Sequence, residues 1–252
     1  MKREDSAPAA VAFIGDVHLD EGDDEVSAFV DCLDRLALAR RRIVLMGDLF
    51  NLWVAQPEFE RAHHRVVVEK LRDLRTRGTV VRYLEGNRDY RIAARYAGTA
   101  FEDSTEDGIV EQFGGHRAFA VHGDLANPGD RQYRAWRGFS RSRGFWRCIN
   151  MVPRGQRRRL AEYLERRMRG TNLDYKREFP EAEVREYAAG FFASGYDLLI
   201  LGHFHVEKEL RVKAPGDEVA NRRILVLPEW KGSRRHLEIA SDGTVAFVPP
   251  PG

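Results

Sequence analysis

Five short segments of the chain share one layout: an apolar run, a glycine, and beside it residues able to bind a cation. They are Gly15-Asp16-Val17-His18, Gly47-Asp48, Gly86-Asn87-Arg88-Asp89, His122-Gly123-Asp124 and Gly202-His203-Phe204-His205. Carboxylate and amide oxygens and imidazole nitrogens are good ligands for divalent first-row metals. One Asp-x-His after a strand is weak evidence, since a turn aspartate with an incidental histidine reads the same way. Recurrence in five places is stronger. Asp16, His18, Asp48, Asn87, His122, His203 and His205 together offer seven oxygen and nitrogen ligands and no thiolate. That is too many for one tetrahedral zinc, and it suits two cations sharing a carboxylate, each with room for solvent or substrate.

The elements that must carry these residues follow from the apolar pattern. Strands are predicted over Val11 to Gly15, Ile43 to Met46 and Thr79 to Leu84. A helix is predicted from Asp23 to Arg40, with Asp23 or Asp24 as its cap and Val26, Phe29, Val30, Leu33, Leu36 and Leu38 on its apolar face. A second is predicted from Pro57 to Arg77, stopped by Gly78. Strand, helix, strand, helix, strand with short connections specifies a parallel α/β sheet, whose loops converge beyond the strand C-termini. Further along, the pattern predicts a short helix over Tyr90 to Ala97. A hairpin of Ile109 to Phe113 with Arg117 to Val121 follows, turning at Gly114-Gly115. Two or three Arg-rich helices come next, with breaks at Gly144 and at Pro153-Arg154-Gly155. Then come a helix from Pro180 to near Gly195, a strand from Asp197 to Leu201, and a β-rich end: Val206 to Lys213, Arg223 to Leu227, His236 to Ala240 and Thr244 to Val248. Residues 1–9 read as a tail. The whole, 1–252, reads as a single domain with residues 131–176 as a helical insertion.

At 252 residues, 43% hydrophobic and 32% charged, the chain can bury one sizeable core and is not of the disordered class. No apolar run is long enough to span a bilayer, and the charged start Met1-Lys2-Arg3-Glu4-Asp5 lacks a signal core, so a cytoplasmic location is expected. Two cysteines, Cys32 and Cys148, cannot build a disulfide framework. The net charge of +2 conceals an asymmetry: Arg131 to Arg169 holds 13 Arg and two acids, about +11, which leaves about −9 for the rest.

In order and type the five blocks resemble those of the calcineurin-like metallophosphoesterases: Asp-x-His, Gly-Asp, Gly-Asn-(His/Arg)-Asp, His, Gly-His-x-His. The resemblance runs from residue 11 to about 230. It implies a four-layer αββα sandwich and a centre of two divalent cations, commonly Mn(2+). By position it implies Asp16, His18, Asp48 and His205 on one cation. Asp48 (bridging), Asn87, His122 and His203 would hold the other, with a hydroxide between them attacking phosphorus. Four blocks look most like the UDP-2,3-diacylglucosamine diphosphatases of lipid A synthesis within that family. They are Phe13-Ile14-Gly15-Asp16-Val17-His18-Leu19, Gly47-Asp48-Leu49-Phe50-Asn51-Leu52-Trp53, Gly86-Asn87-Arg88-Asp89, and His122-Gly123-Asp124 followed by Asp130 and Tyr133. This likeness implies hydrolysis of an acylated UDP-sugar to UMP and 2,3-diacylglucosamine 1-phosphate. Asp48, Asn87, Arg88 and His122 would be catalytic, and Asp89 and Asp124 would orient Asn87 and His122. Asn87, Arg88, Asp130, Tyr133, Asn172, Lys176 and His203 would bind substrate. The chain departs from the pattern at Gly202-His203-Phe204-His205-Val206-Glu207, where relatives often read Gly-His-Thr-His-Arg-Pro. It also has only a short polar stretch, Gly170 to Lys176, after the insertion.

Arg88 stands where most relatives carry histidine. Expelling a phosphate monoester needs little proton donation, because its second pKa is about 6. A fixed guanidinium can instead stabilise charge on a phosphoryl oxygen. The alternative is a structural pair of Arg88 with Asp89. In the Arg-rich block, Trp136, Phe139, Phe145, Trp146, Leu160, Tyr163, Leu164 and Met168 interleave with arginine. An apolar face flanked by Arg suits acyl chains, phosphate and the anionic cytoplasmic face of the inner membrane. The alternative is an ordinary helical subdomain with solvated arginines. No nucleic acid partner is expected, and nothing in the sequence sets an oligomeric state. His63, His64, His116 and His236 lie outside the blocks and read as surface or packing residues. Two other functions remain open: a phosphodiesterase acting on another phosphoester, and a non-catalytic scaffold.

Overall fold

The structure is a computed structural model and describes residues 8–22, 24–39, 41–169, 179–213 and 221–252. The chain runs β1 (Ala10–Ile14), α1 (Glu25–Leu38), β2 (Arg41–Leu45), β3 (Trp53–Val54), α2 (Ala62–Thr76), β4 (Val81–Leu84), β5 (Asp89–Tyr90), α3 (Ile92–Tyr96), β6 (Ser104–Thr105), β7 (Ile109–Phe113) and β8 (His116–Val121). It continues through α4 (Arg131–Ser140), α5 (Arg143–Met151), α6 (Arg154–Arg169), α7 (Glu181–Ala193), β9 (Leu198–Leu201), β10 (Lys208–Val212), β11 (Arg222–Val226), α8 (Trp230–Ser233), β12 (His236–Ala240) and β13 (Val245–Val248).

Two mixed sheets form, in the orders β13-β12-β1-β2-β4-β6 and β10-β11-β9-β8-β7. Strands β1, β2, β4 and β6 run parallel in the first and β8, β9 and β11 in the second, while β12-β13 edges the first and β7-β8 and β10-β11 edge the second as antiparallel pairs. Period-two alternation in the strands decides the layering. Val11 and Phe13 of β1 and Leu198 and Ile200 of β9 meet between the sheets, with Val44, Ala120 and Leu225. The alternate residues Ala12, Ile14, Ile43 and Leu45 face α1 and α2 through Phe29, Leu33, Leu36, Val67 and Leu71. Leu199, Leu201 and Val226 face α7 through Val184, Ala188 and Phe192. The result is the four-layer αββα sandwich that the family resemblance implied. Each fully buried Leu, Val or Phe contributes about 1.5–3 kcal/mol to it.

Several local expectations need correction. α1 is shorter than predicted, and Leu38 is 73% exposed while Cys32 is buried in its stead. The buried positions 29, 32, 33 and 36 keep helical spacing, which Leu38 breaks. Pro57 opens only a 3-10 turn, Pro57–Phe59, because Glu60 is extended and α2 starts at Ala62. Tyr90 belongs to β5, paired with Val54, and the helix after it starts at Ile92. Gly144 lies inside α5; the break falls before it, where the Ser142 hydroxyl caps the helix by accepting from the Phe145 amide at 3.1 Å. His63 and His64 are buried against Phe50 as packing residues. The tail before Pro8, together with Asp23, Arg40, Asn172 and Lys176, lies outside the described residues.

Helices α5 and α6 pack on the strand-end loops through Trp146 and Ala161, which meet Leu52, Val54 and Phe59. Trp136 and Phe139 stay 52% and 56% exposed beside this seam.

Candidate metal centre

Parallel register brings the ligand loops together. β1 and β2 end side by side, Ile14 opposite Leu45, and the ladder runs on past them. The Asp16 amide donates to the Gly47 carbonyl at 3.1 Å, and the Val17 and His18 amides both donate to the Asp48 carbonyl at 3.0 Å. β8 and β9 also end in register, Val121 opposite Leu201, so His122 and His203 leave neighbouring strands. Gly86 lies so close to Asp48 that a Cβ there would stand 2.8 Å from the Asp48 nitrogen, which only glycine permits. Asp16, His18, Asp48, His203 and His205 all have left-handed backbones, with φ from 52° to 70°. Such conformations carry about 1–3 kcal/mol of strain each and persist where surrounding contacts hold them, typically at functional sites. Among the described residues only Arg91 and Arg234 are further non-glycine cases.

Two clusters result. Ligand atoms of Asp16, His18 and His205 lie within 4.8 Å of one another, and so do those of Asp16, Asp48 and His122. His18 Nε2 and His205 Nε2 are 3.1 Å apart, and His205 Nε2 is 3.5 Å from Asp16 Oδ1. Asp48 Oδ2 lies 3.7 Å from His122 Nε2. Asn87 Oδ1 stands 2.9 Å from His122 Nε2 and 3.0 Å from His203 Nδ1.

The charges in this buried cluster balance one another. Burial alone would raise the Asp16 carboxyl, but the hydrogen bond and charge of His205, with His122 and His18, hold it below its ordinary value. Burial raises Asp48 against the pull of His122 and Arg88. Burial lowers His18 well below its usual value, and burial with the charge of His122 lowers His203 to about 4. Both rings are therefore neutral at pH 7 with a lone pair to give, as metal binding requires. Burial opposes protonation of His122 and His205 too, yet the neighbouring carboxylates raise both.

Divalent cations fit this donor set. Asp16 Oδ1 is a buried carboxylate oxygen whose polar neighbour, His205 Nε2, stands at a long 3.5 Å, an expensive arrangement without a cation nearby. His122 Nδ1 donates to the Met46 carbonyl at 2.9 Å, which turns the lone pair of Nε2 toward the oxygen of Asn87. Two lone pairs then face one point, and a proton or a metal ion must lie between them. All the donors are oxygen or imidazole nitrogen, suited to divalent first-row metals.

No family model matches the chain. It is 28% identical over 222 residues to the UDP-2,3-diacylglucosamine hydrolase of Chromohalobacter salexigens, covering 88% of this chain and 89% of that one. It is 31% identical over 205 residues to the UDP-2,3-diacylglucosamine hydrolase of Ralstonia nicotianae, covering 77% of this chain and 76% of that one. The chain belongs to the UDP-2,3-diacylglucosamine hydrolase family. Of solved structures, Vacuolar Protein Sorting 29 from Cryptosporidium parvum aligns with 96% of this chain and 97% of its own, at 14% identity and a TM-score of 0.47.

In this member of the hydrolase family the supporting residues differ from expectation. Asp124 does not hydrogen-bond His122; the Met46 carbonyl does that, and Asp124 instead accepts from the Tyr133 hydroxyl and from Arg137 Nε at 2.8 Å. Asp89 holds backbone rather than the Asn87 side chain. Its Oδ2 accepts from the Gly86 amide (2.8 Å), the Asp48 amide (2.9 Å) and the Tyr83 hydroxyl (2.7 Å), lashing two ligand loops together. Arg88 forms an ion pair with Asp48, at 3.6 Å, and its Nη1 donates to the Asn51 carbonyl at 3.3 Å. Asp130 caps α4, accepting from the Tyr133 amide at 2.9 Å. Asn172 and Lys176 lie outside the described residues. Sequence reading missed Met46, Tyr83, Arg137 and Arg141. The first acts through its backbone and carries no sequence signal, but Tyr133, Arg137 and Arg141 stand four apart along α4 and its C-terminal cap, a pattern open to reading.

Proposed function

We propose that this hydrolase cleaves the pyrophosphate of UDP-2,3-diacylglucosamine to UMP and 2,3-diacylglucosamine 1-phosphate. It does so with two divalent cations, Mn(2+) first among them. Asp16, His18, Asp48 and His205 would hold one and Asp48, Asn87, His122 and His203 the other. The observation that carries this reading is the meeting of donor atoms from separate loops: Asp16, His18 and His205 in one cluster, Asp16, Asp48 and His122 in another, and the Asn87 oxygen beside His122 and His203. When bound, the cations supply Lewis-acid activation of water and of phosphoryl oxygens. The chain's own residues do the rest. The Met46 carbonyl keeps His122 in one tautomer, and Asp89 keeps Asp48 and Gly86 in register. Arg88, buried and fixed by Asp48 and Asn51, offers a permanent positive charge to the phosphoryl oxygens. Attack is at the UMP-side phosphorus, and the departing sugar 1-phosphate needs no strong proton donor, which suits an arginine at this position.

Residues 131–176 act as a cap inserted into the single domain. Tyr133, Asp130, Asn172 and Lys176 contact sugar or phosphate. The exposed Trp136 and Phe139, with exposed Arg131 and Arg134 beside them, face acyl chains and the anionic cytoplasmic surface of the inner membrane. Among the described residues no helix is long and apolar enough to cross a membrane.

The test is release of UMP from the lipid nucleotide by metal-stripped protein given Mn(2+), compared with His122→Ala. Cation-dependent release, lost in the variant, is the expected result. Hydrolysis of p-nitrophenyl phosphoesters without release of UMP from the lipid would defeat the reading.

A further inference from the structure

One stripe of α4 grips the metal loops. Tyr133 and Arg137 bind Asp124 after β8, and four residues on, Arg141 crosses to the loop after β4. Arg141 stands at the corner where α4 gives way to α5. Its Nη2 donates to the Gly86 carbonyl at 2.6 Å. Its Nη1 lies 2.8 Å from Glu106 and 3.6 Å from Glu85, and its guanidinium stands 5.7 Å over the Tyr90 ring. The Arg141 side chain is only 10% exposed and Glu85 is buried, so the contacts to Gly86 and Glu85 are largely shielded from water, while Glu106 is 41% exposed.

Gly86 is a junction. Its amide is held by Asp89, the same carboxylate that holds the Asp48 amide. Its Cα packs against Asp48 too closely for any side chain. The next residue, Asn87, places its oxygen between His122 and His203. A shift of the Gly86 carbonyl therefore moves Asn87 relative to both histidines.

We propose that Arg141 is a positioning residue for the cation position of Asn87, His122 and His203. By holding the Gly86 carbonyl from the inserted helices, it makes the fit of that position depend on the docking of α4. This rests on the two-cation reading above. It also gives the insertion a role beyond contact with substrate, since the same helix that meets the lipid nucleotide sets the geometry of one cation position.

The full-length protein, stripped of metal and without substrate, is titrated calorimetrically with Mn(2+) as wild type, Arg141→Met, Arg141→Lys and the charge-matched surface control Arg143→Met. Wild type is expected to bind two cations. In Arg141→Met one step weakens about ten-fold or more while the other stays within about two-fold, the scale seen when a residue behind a ligand is lost. Arg141→Lys recovers part of the loss, because an ammonium can reach one carbonyl but cannot span a carbonyl and two carboxylates. Arg143→Met matches wild type. Wild-type affinities in both Arg141 variants overturn the proposal, and so does equal weakening of both steps. Should Arg141→Met fail to fold, Arg141→Lys carries the comparison on the same terms. A wild type that binds one cation defeats both readings. One that binds two but releases no UMP defeats the proposed function alone.

Discussion

Replacing Glu85 with glutamine isolates one buried charge beside the metal loops. Glu85 is 2% exposed, and its Oε1 accepts from the Ala93 amide at 3.0 Å. Burial, with the charges of Asp89 and Glu106, pushes its carboxyl from 4.5 up to about 7, against the pull of the Ala93 amide and Arg141. The unfolded chain gives up this proton near pH 4.5 and the folded one near pH 7. Between those values the folded state binds more protons, so stability falls as pH rises. The loss is absent below about pH 4.5 and complete above about pH 7, where it reaches about 3 kcal/mol at 1.36 kcal/mol per unit. Glutamine keeps the acceptor for Ala93 and never ionises. Urea unfolding of both proteins in chelator, from pH 4.5 to pH 8.5, is the assay. The two should be nearly equal in stability at the acid end, and Glu85→Gln should gain about 3 kcal/mol at the alkaline end. A difference that does not vary with pH, or one that favours wild type at pH 8, would refute the reasoning.

Other outcomes follow from the same contacts. His122→Ala removes a proposed ligand, so loss of UMP release and of one Mn(2+) step should exceed the roughly 10–100-fold that removal of an outer partner brings. Gly86→Ala would drive a Cβ into Asp48, and Mn(2+)-dependent activity should be abolished, as read by UMP release. Leu33→Ala, deep in the layer between α1 and the sheet, should lower unfolding free energy by about 2–5 kcal/mol while Mn(2+) affinity stays at the wild-type value. Replacing the exposed Trp136 and Phe139 with serine should weaken co-sedimentation with anionic lipid vesicles, each ring contributing on the order of 1.5 kcal/mol or more, with the melting temperature unchanged.

Much of the molecule was legible in its residues. A ligand-type residue beside a glycine at the end of an apolar run is a local pattern, and the parallel-sheet rule says where such ends meet. Asp16, His18, Asp48, Asn87, His122, His203 and His205 could therefore be gathered before any coordinates. Which face of β1 or β9 meets which layer was not legible, because both strands are apolar throughout and buried on both faces. Helix boundaries were read less well. Nothing local told that Glu60 would be extended or that Tyr90 would pair with Val54.

Only the tertiary structure decided what stands behind the ligands. His122 is tethered by a backbone carbonyl 76 residues away, Asp89 serves two loops instead of one side chain, and Asp124 turns to α4. The left-handed backbones of five candidate ligands are also imposed from outside, by contacts between loops that no short window contains. Residue type and spacing determine which face is apolar and which donor follows a strand. The partner of a hydrogen bond depends on how far apart two distant segments come to rest, and that distance is set only when the sheets and helices have packed.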